Sequence, residues 1–197
     1  MTILDKIVEK KKIEVAEAKT KVSLKELEQS PLFNRTCYSL KDSILHPQRT
    51  GIIAEFKRAS PSKGLINGTS SVQDVVKGYQ DAGASAISVL TDPDFFQGSL
   101  ADITAAREVL TIPLLRKEFI VDRYQIAEAK AYGADIILLI AACLSPEEIE
   151  EFSSYAKSLG LNVLLEVHNE EELVANIFDT IDAIGVNNRN LKDFIVS

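Results

Sequence analysis

Short runs of β-branched and aliphatic residues recur along the chain from Gly51 onward, separated by helical segments. The runs lie at 52–57, 86–91, 113–117, 135–141, 162–166 and 182–187, each of strand length. Several of the intervening helices announce their own ends. Ser99 precedes a helix predicted over 100–110, and Ser145-Pro146-Glu147-Glu148 combines an N-cap, proline at the first helical position and glutamate at the third. Gly83, Gly133 and Gly160 each stand where a helix stops just before the next strand. The strand starts advance from residue 52 to residue 182 in five steps, a mean of 26 residues. Alternation at that spacing predicts βαβ units, an α/β fold and a parallel sheet.

The first 50 residues read differently. Residues 1–20 are rich in Lys, Glu and Ala, with Ile3, Leu4, Ile7 and Val8 on one helical face. Ser23-Leu24-Lys25-Glu26 has the form of a capping box and opens a second, short helix. Pro31, Asn34 and the stretch 46–50 then break the pattern. The predicted organisation is a helical N-terminal extension over 1–50, packed on its host through one face, and an alternating β/α part over 51–197.

An open doubly wound sheet and a closed barrel both accommodate such units, and the first strand discriminates. In Ile52-Ile53-Ala54-Glu55-Phe56-Lys57, Glu55 and Lys57 point to one face. Under the helices of an open sheet two buried charges would be costly. In a barrel the same positions open into a solvated cup at the C-terminal rim, where Lys117, Glu166 and Asn187 also fall. The expectation is therefore a (β/α)8 barrel of the TIM type. About six of its eight units lie within this chain, since two more would bring it near the roughly 250 residues usual for the fold.

Composition narrows the function classes. With 22 Lys+Arg against 29 Asp+Glu, the net charge of −7 argues against a nucleic-acid partner. The longest apolar run, 136–144, falls far short of the roughly 18 residues a membrane span requires. Residues 1–12 lack the apolar core of a secretory signal. Cys37 and Cys143 are read as reduced, mostly buried thiols, and no Cys/His cluster has metal-ligand spacing. A cytoplasmic protein is expected, without nucleic-acid or membrane partners.

The candidate chemistry resides in Glu55, Lys57, Lys117, Glu166, Asn187 and Arg189. Any one of them could be a rim salt bridge; six at matching strand ends point to a site. Two lysines and two carboxylates converging on one cup suit acid–base work. Local cations in an acidic protein, with Arg58, Lys63 and Arg116 adding to them, suggest an anionic small-molecule substrate.

The run Ile53-Ala54-Glu55-Phe56-Lys57-Arg58-Ala59-Ser60-Pro61-Ser62 resembles the first-strand motif of the indole-3-glycerol phosphate synthase family of tryptophan biosynthesis. Ser88-Val89-Leu90-Thr91, Leu115-Arg116-Lys117-Glu118-Phe119-Ile120, Leu164-Leu165-Glu166-Val167-His168 and Ile184-Gly185-Val186-Asn187-Asn188-Arg189-Asn190-Leu191 are similar to that family at the corresponding places. The resemblance implies a carboxy-lyase without metal or organic cofactor. It closes the indole ring of 1-(2-carboxyphenylamino)-1-deoxy-D-ribulose 5-phosphate with loss of carbon dioxide and water. It further implies Lys117 as general acid, Glu166 as the carboxylate of the dehydration step, and Lys57 as anion partner and second acid. Glu55 and Asn187 would orient substrate hydroxyls, Arg189 would grip the anthranilate carboxylate, and Phe96 would line its pocket. Ser60 to Gly64 would cover the site. The Glu55-x-Lys57 motif, joined to Lys117 and Glu166, discriminates against phosphoribosylanthranilate isomerase and the tryptophan synthase alpha chain. The resemblance assigns His168 no role, so it reads as a satisfied structural residue; Asp92 and Asp94 read as residues that shape their loop.

In that family the substrate phosphate is held mainly by loops after the seventh and eighth strands, and a chain stopping at Ser197 is expected to lack them. The alternative to a complete enzyme is a non-catalytic barrel fragment, or a split-enzyme piece needing a complementing C-terminal segment. The open first and sixth strands should then favour association. Sedimentation velocity is expected to show concentration-dependent self-association, and a monomeric chain with a sharp cooperative unfolding transition would count against it.

Overall fold

The structure is a computed structural model, and it describes residues 3–188. Three helices come first: α1 (Ile3–Lys21), α2 (Leu24–Glu28) and α3 (Leu40–Ile44). Strand β1 (Ile53–Phe56) follows, then a small hairpin of β2 (Ala59–Ser60) and β3 (Gly64–Leu65). The chain then alternates through α4 (Val72–Asp81), β4 (Ala86–Leu90), α5 (Pro93–Phe96), α6 (Leu100–Val109), β5 (Leu114–Lys117), α7 (Arg123–Ala131) and β6 (Ile136–Ile140). After a 3-10 turn at Ala141–Cys143 come α8 (Pro146–Ser158), β7 (Asn162–Val167), α9 (Glu170–Ala175) and β8 (Ala183–Val186).

The six long strands form one sheet in the order β1-β4-β5-β6-β7-β8, every neighbouring pair parallel. A doubly wound sheet reverses its strand order at a switch point. This sheet advances in one direction throughout, so it curls into part of a barrel, with β1 and β8 as its edges among the described residues. Each predicted strand is present: β7 runs one residue further, to Val167, and the others are trimmed by a residue at one or both ends. Ser145 caps α8 with the expected reciprocal bonds to Glu148, at 3.2 and 2.8 Å. Gly83, Gly133 and Gly160 end their helices with φ of 93°, 99° and 75°.

The two faces of the sheet bury separate cores. Outward residues such as Ile87, Val89, Leu114, Ile137, Leu139 and Val163 pack under the helices. Inward residues Ala86, Leu115, Ile136, Leu138 and Ile140 fill the inside of the curl. The floor of the inner core is Leu40 of α3, 1% exposed. The sequence pattern predicts no helix there. Five residues are too few to be helical on their own; α3 exists because Ser39 caps it and Leu40 is seated inside the sheet.

The extension is fastened under the sheet by Asp135, which has no exposed surface. Its Oδ1 accepts the Tyr38 amide and pairs with Arg35, both at 2.8 Å. Its Oδ2 accepts Arg107 Nη1 at 2.6 Å and the Leu114 amide at 2.9 Å. Asn162 completes the join: its Oδ1 accepts the Leu40 amide at 3.1 Å, and its Nδ2 donates to the Tyr38 carbonyl at 2.9 Å. Burial pulls the Arg107 guanidinium below its ordinary value, with the Asp135 carboxylate opposing. Breaking a buried pair strands the remaining charge. Asp135→Ala is expected to destabilise the chain by about 3–5 kcal/mol, measured as a lowered midpoint in urea unfolding.

Candidate active site

Side chains alternate along a strand, and all six strands end at the same rim. Glu55, Lys57, Lys117, Glu166 and Asn187 therefore converge on one cavity of about 320 Å³, together with Phe96 and Ser60. Within it Lys57 Nζ donates to Glu55 Oε1 at 2.8 Å, and Ser88 Oγ reaches Glu55 Oε2 at 3.5 Å. Across the cup Lys117 Nζ lies 3.4 Å from Glu166 Oε2, while Asn187 Nδ2 donates to Glu166 Oε1 at 3.0 Å. Both lysines and both carboxylates thus stand in mixed pairs, partly open to the cavity. The thiol of Cys143 lies beside this wall; burial pushes it up to about 12, with the Glu166 and Glu172 carboxylates adding to the effect. It stays a thiol at neutral pH.

Two cations expected in the cup are elsewhere. Arg116 precedes Lys117 and so faces the helices: it pairs with Glu128 at 2.8 Å and donates to the Gln125 carbonyl at 2.9 Å. Arg58 turns away after β1 and forms a bidentate pair with Asp102 at 2.5 and 2.8 Å. Only Lys63 of the three lines the cavity. Arg189 lies outside the described residues. The segment from Ser60 to Gly64 is the tip of the β2–β3 hairpin, which the sequence pattern does not reveal, and it contributes Ser60, Pro61, Ser62 and Lys63 to the cavity wall.

Phe96 is set by α5, another element missed from sequence. Asp92 caps that turn, accepting the Phe95 amide at 2.7 Å. Gly98 then lets the loop close, because a Cβ there would fall 2.1 Å from the Leu90 carbonyl oxygen. Phe96 meets Phe119, ring centroids 6.3 Å apart. Asp92 and Asp94 shape this loop: Asp94 pairs with Lys10 and Asp92 with Lys11. Among the described residues no cluster of His, Cys, Asp and Glu could hold a metal ion.

Helix α1 roofs the cavity with Leu4 and Ile7. It buries Ile7, Lys11 and Val15 at four-residue spacing, one stripe down one face. Lys11 is the signal a hydrophobic reading passes over. Its ammonium is 2.7 Å from Glu14, 2.8 Å from Asp92 and 3.1 Å from Glu118, the neighbour of Lys117.

A curled parallel sheet whose strand ends gather acid–base pairs in a cup defines a TIM-barrel-type enzyme site. The family it belongs to follows from comparison with known proteins. The indole-3-glycerol phosphate synthase family model matches residues 4–197. Curated relatives of that name are 50% identical over 196 residues in Bacillus cereus and 46% identical over 192 residues in Bacteroides thetaiotaomicron. They cover 99% and 98% of this chain, and the chain covers 74% and 73% of them. The chain belongs to the indole-3-glycerol phosphate synthase family. Among solved structures, the tryptophan synthase α2β2 complex of Pyrococcus furiosus matches with a TM-score of 0.44 at 18% identity, over 64% of this chain and 62% of that one. That likeness is too remote to bear on function. No helix among the described residues is long and apolar enough to cross a membrane.

Lys11 provides a test of how the roof is held. Burial works to lower its ammonium, but attraction to Glu118 and hydrogen bonds to Asp92 and Glu14 outweigh it and raise it above the ordinary 10.5. A raised value in the folded state means the contribution to stability is fully present below 10.5 and lost as pH rises through the folded value. Lys11→Met is expected to cost about 3–5 kcal/mol. Denaturation at a series of pH values should find that gap constant from neutral pH upward and narrowing only beyond 10.5.

Proposed function

We propose that this chain carries the ring-closing machinery of indole-3-glycerol phosphate synthesis, acting on 1-(2-carboxyphenylamino)-1-deoxy-D-ribulose 5-phosphate. The single observation that carries this reading is the meeting of Glu55–Lys57 and Lys117–Glu166–Asn187 in one cavity of a member of that family. The chemistry requires those residue types. When the aryl carbon attacks the C2 carbonyl, negative charge develops on oxygen and a proton must arrive there. Lys117 donates it, and its contact with Glu166 keeps the ammonium aimed into the cup. Loss of carbon dioxide then restores the aromatic ring.

Dehydration needs one group to remove a proton and another to give one to the departing hydroxyl. Glu166 takes the proton in this reading and Lys57 serves as anion partner and second acid. Glu55 holds Lys57 in register and, with Asn187, orients the ribulose hydroxyls. Phe96, braced by Phe119, lies flat against the anthranilate ring, and Arg189 answers its carboxylate. Ser60, Lys63 and their hairpin cover the substrate. The requirement is for a small anionic substrate, and the mixed charge of the cup suits one.

The test is to incubate the chain with the carboxyphenylamino-deoxyribulose phosphate and follow indole fluorescence. Turnover is expected, lowered about 100- to 10,000-fold in Lys117→Ala with a smaller change in KM. No product from the folded wild-type chain would overturn this reading in favour of a non-catalytic one.

A further inference from the structure

His168 is not the satisfied structural histidine that its position near a strand end suggests. It stands one residue past β7, on the same face as Glu166, with its side chain only 12% exposed. Nδ1 lies 3.3 Å from Glu172 Oε2, an oxygen that also accepts the His168 backbone N–H at 2.8 Å. Nε2 is shielded from solvent, closes no hydrogen bond, and lies 3.7 Å from Glu166 Oε1. Because an ionised Glu172 can only accept, it takes the proton of Nδ1. The neutral ring then presents the Nε2 lone pair to Glu166.

We propose that His168 is a positioning residue for Glu166, forming with Glu172 a line of three groups that shares the proton Glu166 exchanges with substrate. The proposal rests on the reading of Glu166 as the carboxylate of the dehydration step. In that step a C–H bond of the substrate breaks, its electron pair stays with the substrate, and an O–H bond forms on Glu166. The proton can pass on to Nε2, the O–H electron pair returning to the carboxylate, and Glu172 balances the imidazolium that results. The groups facing this line are Lys117 from β5, at 3.4 Å from the other oxygen of Glu166, the Asn187 amide after β8, and the Cys143 thiol on the 3-10 turn. Lys117 and Asn187 hold Glu166 from the cavity side. His168 stands behind it at 3.7 Å and offers a second place for the proton once Glu166 has taken it.

The chain contains two histidines, His46 and His168, so nitrogen-15 NMR of histidine-labelled protein resolves both rings. The neutral His168 ring is expected as the Nδ1–H tautomer; an Nε2–H tautomer overturns the proposal and needs no variant to detect. In Glu166→Gln the Nε2 resonance of His168 should shift, because the group 3.7 Å from it changes from a carboxylate to an amide, while the exposed His46 is unmoved. A His168 Nε2 resonance that Glu166→Gln leaves in place overturns it. These measurements use the substrate-free chain, so they decide the coupling whether or not the chain turns over, and failure of turnover is charged to the proposed function alone. In the active enzyme, His168→Phe should displace the acidic limb of the kcat–pH profile. A uniform fall in kcat with an unmoved limb would mark a merely structural ring.

Discussion

Strand side chains alternate, and in this sheet the two faces meet opposite environments. One face lies against helices and tolerates charge only when it is paired; the other lines a curl that opens to a cavity at its rim. Neighbouring residues of one strand therefore receive unlike tasks. Arg116 is sealed among Glu128, Gln125 and Thr91 beneath the helices, while Lys117, one step on, enters the cup. Glu55 and Lys57 share the cup because they are two apart, and Glu166 and His168 are neighbours for the same reason. A slip of register by one residue would exchange the two sets and bury the wrong charges.

Buried charge also joins the N-terminal segment to the sheet at both ends. Below, Asp135 and Asn162 collect backbone amides and carbonyls of residues 38–40 and hold Leu40 as the floor of the inner core. Above, Lys11 reaches from α1 to the loops after β4 and β5. Each join centres on a buried charge, Asp135 or Lys11, with partners on distant parts of the chain, so each is costly when incomplete. Between them lies the site, with Leu4 and Ile7 of α1 as its apolar cover.

The polar groups of the cup form two clusters, one around Glu55 and one around Glu166. Each carboxylate has a lysine within 3.4 Å and a further polar neighbour. Such pairs balance the charge of the cavity wall. His168 makes the second cluster unlike the first, because it places a titratable ring behind the carboxylate and not merely a hydroxyl beside it.

Period-two alternation, helix caps and terminal glycines are local properties, and so the six strands, most of the helices and the rim positions of Glu55, Lys57, Lys117, Glu166 and Asn187 were legible in the sequence itself. The elements it concealed are short and held by distant partners. Helix α3 depends on the seat of Leu40, α5 on Asp92 and the closeness that Gly98 permits, and the β2–β3 hairpin on a pairing of two residues with two. Charge misled where its sign was visible but its direction was not, as with Arg58 and Arg116. The role of Lys11 and the buried Nε2 of His168, which closes no hydrogen bond, were equally invisible, since both are defined by carboxylates brought from other elements. Sequence determined which residues could meet at the rim, because local periodicity sets the face; tertiary structure alone decided which charges met, because burial and long-range pairing are properties of the assembled sheet.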